Sequence, residues 1–160
     1  MRRRILLGAA ATLAGCGFAP RRPPEFAFQT IQLTGFAPRS PLAAELKMSI
    51  DATPATRVVE SAKDAQVVLQ ALGEAREKVV VAQTAANQIR EFELRSRFDF
   101  RVRSASGKDL VPDSEIVLKR SLTYSETIAL AKEQEEAYLY KTMLTDIVAQ
   151  VLRRLASVHL

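Results

Sequence analysis

Residues 91–103, EFELRSRFDFRVR, alternate apolar and charged side chains almost without a break. A period of two places successive side chains on opposite faces of an extended chain, so this stretch predicts a β-strand with one covered and one open face. Such a strand needs a second layer against its apolar side. The apolar side carries Phe92, Leu94, Phe98, Phe100 and Val102, and the charged side carries Glu91, Glu93, Arg95, Arg97, Asp99, Arg101 and Arg103.

Strand patterns also occur on both sides of this segment. Downstream, the turn sequence SASGKD at residues 104–109 predicts a hairpin. Upstream, Gly73 interrupts a long run and predicts a bulge or a bend, with Val79 and Val81 on the same face as the apolar residues before it. The predicted strands are Phe26–Leu33, Ala65–Ala82, Glu91–Arg103 and Asp113–Tyr124, and Arg57–Val59 is a further short candidate.

Two segments have helical periodicity. Ser40 and Pro41 resemble an N-cap followed by a proline at the first helical position, and the first helix is predicted to end near Ala52. A second helix is predicted from Thr127, whose hydroxyl would cap it, to about Leu155. The apolar stripes are Leu42, Leu46 and Ile50 in the first helix and Leu144, Ile147, Val148, Val151 and Leu155 in the second.

Together these segments predict one α+β domain over residues 26–160, with the element order β-α-β-β-β-α. Two helices packed on one face of a four-stranded, mostly antiparallel sheet would bury both stripes in a two-layer sandwich. The 145 residues that follow residue 15 suffice for one hydrophobic core.

The N-terminus has the layout of an export signal. Three arginines precede an uncharged run, Ile5–Leu13, that is too short to span a bilayer, for which roughly twenty residues are needed. The sequence LAGC that ends at Cys16 matches the lipobox of bacterial lipoproteins, in which the cysteine receives fatty acyl chains such as palmitate. An ordinary secretory signal with an incidental cysteine is the alternative, and the Sec and Tat export routes both stay open. The prediction is a signal peptide at residues 1–15, lipid attachment at Cys16 and a proline-rich tether at residues 16–25.

The charge of the chain gives no reason to expect nucleic-acid binding. The formal net charge is +5, but three arginines belong to the signal peptide, so 20 basic and 18 acidic residues remain and leave +2. A nearly neutral exported protein lacks the basic excess that phosphate backbones attract.

The sequence also contains no recognisable catalytic or metal-binding constellation. His159 is the single histidine and lies next to the C-terminus, Cys16 is the single cysteine, and no glycine-rich phosphate loop occurs. We therefore predict a protein that is not an enzyme and that needs neither a metal nor a cofactor.

The charged face of residues 91–103 is the most informative polar feature. Arginine guanidinium groups bind carboxylates and phosphates in a bidentate manner, so this face could dock inside a polar cavity or contact anionic lipid phosphates. The alternative is an ordinary solvated sheet surface.

Several segments are similar to the LptE (RlpB) family of lipopolysaccharide-assembly lipoproteins. These segments are Cys16-Gly17-Phe18 with Arg21 close behind, KRSLTY at residues 119–124, IALAKEQEE at residues 128–136, and LYKTMLTDIVAQVLRRL at residues 139–155. The similarity covers nearly all of the chain after the signal peptide.

This resemblance implies an outer-membrane lipoprotein that sits as a plug inside the β-barrel LptD, assists its assembly, and receives lipopolysaccharide for insertion into the outer leaflet. It implies lipopolysaccharide contact at Lys132. The family's other basic contact lies in a loop that here, at residues 83–88, holds no cation, so Arg90 is the nearest candidate, and Arg95 and Arg97 are further ones. The alternative is a periplasmic transport-auxiliary or ligand-binding lipoprotein that acts without a barrel partner.

Overall fold

The computed structural model describes residues 25–160, so the predicted signal peptide, Cys16 and nearly all of the tether lie outside the described residues. The described chain forms five strands and two helices, with a short 3₁₀ turn before the second helix. The elements are β1 Thr30–Thr34, α1 Pro41–Asp51, β2 Arg57–Val59, β3 Val67–Gln83, β4 Ile89–Ser104, β5 Asp109–Thr123, the 3₁₀ turn Glu126–Ile128 and α2 Ala129–Ala156.

The five strands form one mixed sheet in the order β2-β1-β3-β4-β5. β1 runs parallel to both β2 and β3, whereas β3, β4 and β5 form an antiparallel meander. The prediction of an α+β fold with two helices is confirmed, but the prediction of a four-stranded, mostly antiparallel sheet is wrong in detail. The short candidate strand Arg57–Val59 is confirmed as β2 and makes the fifth strand. Because α1 carries the chain back between β1 and β2, these two strands run parallel.

Both helices pack on the apolar face of the sheet. Of the β4 residues predicted to be covered, Leu94, Phe98, Phe100 and Val102 are buried, together with the predicted stripes of the two helices, whereas Phe92 is half-buried. Phe98 lies in the middle of this core, with its ring stacked on Phe36 and Phe100 at centroid distances of 5.8 and 5.2 Å. The opposite face of the sheet carries the charged residues of β4.

The two helix starts differ from each other. The Ser40 hydroxyl caps α1 by accepting a hydrogen bond from the Ala43 amide at 3.2 Å, and Pro41 follows, as predicted. The predicted cap of α2 is wrong, because Thr127 lies inside the 3₁₀ turn and its hydroxyl instead contacts that of Ser125 at 2.8 Å. α2 starts at Ala129 without a side-chain cap, since the tighter turn already supplies local hydrogen bonds before the helix begins.

Two strand predictions also need correction. Phe26 and Phe28 precede β1 and stack on each other at 5.2 Å without joining the sheet, so the strand starts later than predicted. In β3 the register shifts between Ala71 and Gly73, which confirms the bulge. The shift moves Val79 opposite Glu93 on the charged face and leaves Val81 half exposed, so neither shares the buried face as predicted.

Asp51 joins the end of α1 to β2 and gives the fold a pH-dependent contact. Its carboxylate accepts a hydrogen bond from the Val58 amide at 2.8 Å and pairs with Lys47 at 3.2 Å. The Val58 bond, assisted by Lys47, lowers the pKa of Asp51 below its usual value. A lowered folded-state pKa stabilises the fold above the unfolded pKa, and this contribution is lost as pH falls through the folded pKa.

We expect Asp51→Asn to lower the free energy of unfolding at pH 7 by less than about 1 kcal/mol, since the carboxylate is exposed. The difference from the unchanged chain should shrink as the pH falls below the usual carboxyl range, because protonated Asp51 resembles asparagine. Urea unfolding at a series of pH values measures this, with the exposed Glu60→Gln as the control. A difference that stays constant or grows towards acid would contradict the assignment.

Candidate functional site

The open face of the sheet is an array of ion pairs. Arg95 contacts Glu93 at 2.6 Å, and Arg97 contacts Asp99 at 3.0 Å and Glu115 at 2.7 Å. Further pairs on this face join Arg101 to Asp113, Arg103 to Asp109, and Lys119 to Glu93. The arginines therefore do not form an uncompensated basic patch, and positive and negative groups alternate across the face.

These pairs affect the ionisation of their members. The hydrogen bond from Arg95 lowers the pKa of the Glu93 carboxyl, with Lys119 adding to the effect. The hydrogen bond to Asp99 and the charges of Asp99 and Glu115 raise the pKa of Arg97. The paired groups thus favour the charged forms of Glu93 and Arg97.

A groove of about 270 Å³ lies at one end of the molecule, between the start of α2 and the far ends of the long strands. Its apolar wall includes Phe92, Leu122 and Tyr124, and the rings of Phe92 and Tyr124 meet edge to face at 5.3 Å. Two cations, Lys78 and Lys132, line the same groove. Three carboxylates, Glu126, Glu133 and Glu136, also line the groove, so it combines apolar surface with charged groups of both signs.

Both lysines of the groove are held in place. The Lys132 ammonium donates to Glu135 at 2.7 Å and to the Thr123 hydroxyl at 3.1 Å, and only 13% of its side chain is exposed. Lys78 pairs with Glu136 and lies 4.3 Å from the centroid of the Phe92 ring. An anion entering the groove would have to replace carboxylates that already hold these ammonium groups.

Of the four residues predicted to contact lipopolysaccharide, only Lys132 lines the groove, and Arg90 lies between Ile89 and Phe92, which line it. Arg90 is exposed, and its carbonyl accepts a hydrogen bond from the Tyr124 amide at 2.8 Å. Arg95 and Arg97 lie on the open face, which the helices do not cover. Sequence reasoning missed Lys78, because only the pairing of β3 with β4 brings it next to Phe92.

Within residues 25–160, no group of histidine, cysteine and carboxylate side chains has an arrangement that could hold a metal ion. His159 lies beyond the end of α2 and is exposed. None of the helices in the described part combines the length and apolar character needed to span a bilayer.

Comparison with models of protein families shows which family the chain belongs to. The model of the LptE family, described as lipopolysaccharide-assembly, matches residues 28–155. The chain belongs to the LptE family. The match confirms the resemblance found in the sequence, and it covers nearly all of the described domain.

Solved structures show the same fold. Uncharacterized lipoprotein B from Nitrosomonas europaea has a TM-score of 0.76 and 29% sequence identity, over 88% of this chain and 91% of its own. Rare lipoprotein B from Shewanella oneidensis has a TM-score of 0.69 and 20% identity, over 81% of this chain and 95% of its own. A minor lipoprotein from Acinetobacter baumannii has a TM-score of 0.66 and 20% identity, over 83% and 94%. No curated protein sequence matches the chain.

Membership of the LptE family indicates a lipoprotein of lipopolysaccharide assembly. The LptE family is a non-catalytic family, which agrees with the prediction that the chain is not an enzyme. Membership of this family also indicates a protein of the cell envelope.

Proposed function

We propose that this LptE-family chain docks as a plug inside the outer-membrane β-barrel LptD, assists the assembly of that barrel, and binds lipopolysaccharide on its way to the outer leaflet. The groove at the start of α2 carries the proposal, because it combines apolar walls with the cations Lys78 and Lys132. Lipopolysaccharide is an anionic amphiphile with phosphate groups and acyl chains, and it needs both kinds of surface.

Lys132 is the residue that we propose contacts a lipopolysaccharide phosphate, with Arg90 at the same end. The carboxylate of Glu135, which holds Lys132 in the free chain, belongs to an exposed side chain and can turn away. A phosphate in its place would gain a charge-assisted hydrogen bond from an ammonium that is largely shielded from water. The apolar wall of the groove would cover part of an acyl chain.

The position of the groove suits a tethered plug. β1 starts beside Val67, the first residue of β3, whereas the groove lies at the other end of β3. The 17 residues of β3 span roughly 55 Å at about 3.3 Å per residue. A hydrocarbon core is about 30 Å thick. With Cys16 acylated in the periplasmic leaflet and residues 16–25 as the tether, a domain docked in a barrel would carry the groove towards the outer leaflet.

The open face of the sheet is the surface that we propose meets the barrel wall. Arg95 and Arg97 remain partly exposed although they are paired, with 38% and 56% of their side chains accessible. Alternating positive and negative groups suit a polar wall that offers both carboxylates and hydrogen-bond donors, and they disfavour a purely anionic surface. Arg95 and Arg97 would then contact the barrel rather than lipopolysaccharide.

We expect Lys132→Glu to weaken lipopolysaccharide binding by about tenfold or more, because one charged hydrogen bond contributes about 1.5–3 kcal/mol. Titration of the purified full chain with lipopolysaccharide, monitored by fluorescence or calorimetry, measures this. Lys141→Glu makes the same charge change at an exposed position of the same helix and should leave the affinity nearly unchanged. Equal effects of both variants, or none, would make Lys132 an ordinary surface residue.

Depletion of the chain in cells tests whether it acts together with LptD in the outer membrane. Loss of surface lipopolysaccharide together with misassembly of LptD is the expected result. A normal outer leaflet with a correctly assembled barrel would instead favour a periplasmic auxiliary lipoprotein that acts without a barrel partner.

A further inference from the structure

β5 forms one edge of the sheet, and half of its backbone groups have no neighbouring strand. The Tyr124 amide donates to the Arg90 carbonyl at 2.8 Å, so at this position the even-numbered residue of the β5 segment bonds to β4. Because hydrogen-bonded and outward-facing residues alternate in an antiparallel pair, and the register is continuous from Ser114 to Thr123, the odd-numbered residues face the free edge.

Side-chain contacts agree with this assignment. Arg154 reaches the carbonyl of Glu115 at 3.5 Å, and Arg120 donates to the carbonyl of Lys119 at 2.9 Å. Carbonyl groups bonded within the sheet would not be open to these side chains in this way. The edge groups of Val117, which lies between them, have no such cover among the described contacts.

The edge-facing residues of β5 have a charge pattern that matches a second, antiparallel copy of the same strand. Glu115, Val117 and Lys119 are spaced by two and share the open face of the sheet, as their partners Asp99, Arg97 and Arg95 on β4 do. In an antiparallel pair centred on Val117, Glu115 of one strand lies opposite Lys119 of the other, and the reverse pair forms by symmetry. The central Val117 is an apolar residue that is 44% exposed.

We propose that two copies of this chain associate through β5, with the strands antiparallel and centred on Val117, to form one continuous ten-stranded sheet. Each copy supplies the outward amide and carbonyl of Val117 to the other, so the central pair is hydrogen-bonded, as the backbone alternation requires. The pair of Glu115 with Lys119 across the interface fixes the register. Arg154 and Arg120 must release their carbonyl acceptors, and both side chains are long and partly exposed. Glu115 and Lys119 must also exchange or share their present partners, Arg97 and Glu93.

A disulfide at the two-fold axis tests the register. Directly opposed residues in a hydrogen-bonded pair have Cα atoms about 5.5 Å apart, which lies within disulfide range. The full chain with Val117→Cys should form a disulfide-linked dimer on mild oxidation. Val81→Cys, at a valine that is 50% exposed on β3, and the unchanged chain, whose one cysteine is Cys16, should not. Equal dimer formation at positions 117 and 81, or none at 117, would overturn the proposal.

Exchanging the charges of residues 115 and 119 tests whether their pairing across the interface holds the dimer together. In the Val117→Cys background, Lys119→Glu places carboxylates opposite each other at two symmetric positions and should remove most of the dimer. Adding Glu115→Lys restores opposite charges and should restore the dimer. A double variant that remains as monomeric as Lys119→Glu, while a circular dichroism spectrum shows it folded, would contradict the pairing. A paired copy cannot at the same time sit singly inside a barrel, so the dimer is a state of the chain outside the barrel, and either proposal can fail without the other.

Discussion

Replacing Phe98 with alanine should lower the free energy of unfolding by about 3–5 kcal/mol. Phe98 is fully buried and its ring stacks on both Phe36 and Phe100. The residue lies on β4 beneath the two helices, so the cavity would open in the core that joins the helical layer to the sheet. The surrounding rings cannot collapse into it without leaving their own packing.

Urea unfolding of the purified full chain measures this loss. Tyr138→Ala is the matched control, because it removes an aromatic ring that is 66% exposed on α2 and should change stability by no more than about 0.5 kcal/mol. Similar losses from both variants would contradict the packing of the two layers around Phe98.

Gly35→Ala should also be strongly destabilising, by about 3 kcal/mol or more. Gly35 follows β1 with φ of 78°, a region that costs a residue with a Cβ about 1–2 kcal/mol. A Cβ at this position would also lie 2.3 Å from the backbone carbonyl oxygen of Ala71. The added methyl group would therefore force β1 and β3 apart.

A substitution at Gly107 distinguishes the backbone cost of a positive φ from the cost of the clash with Ala71. Gly107 also has a positive φ, of 85°, but a Cβ there would meet nothing within 4 Å. Gly107→Ala therefore loses only the free energy that the strained backbone costs. We expect Gly107→Ala to lower the free energy of unfolding by about 1–2 kcal/mol, clearly less than Gly35→Ala. Equal losses in urea unfolding would show that the contact between Gly35 and Ala71 contributes nothing.

The antiparallel half of the sheet follows from the sequence, and the parallel half does not. The alternation over residues 91–103 indicates a strand that is buried on one face only. The observed strand, β4, extends from Ile89 to Ser104, close to the prediction. β2 has three residues, and its place next to β1 depends on the path that α1 imposes on the chain. The bulge at Gly73 was recognisable, but the change of faces that it causes at Val79 depends on the register with β4.

The candidate site was also predictable only in part. Lys132 and Arg90 came from the family resemblance, and the fold places Lys132 in the groove and Arg90 next to the lining residue Ile89. Arg95 and Arg97 came from the same alternation that defines the strand, which shows that they share a face but not what that face contacts. Lys78 gave no signal, because a single lysine in a strand becomes informative only after β3 and β4 are paired.

The central claim is that this LptE-family lipoprotein works while docked in the LptD barrel. Affinity purification of the full chain from detergent-solubilised envelopes tests it most directly, with the bound proteins identified and quantified by mass spectrometry. The account predicts recovery of LptD in a one-to-one ratio with the chain. Recovery of the chain without any stoichiometric large barrel protein would contradict the account.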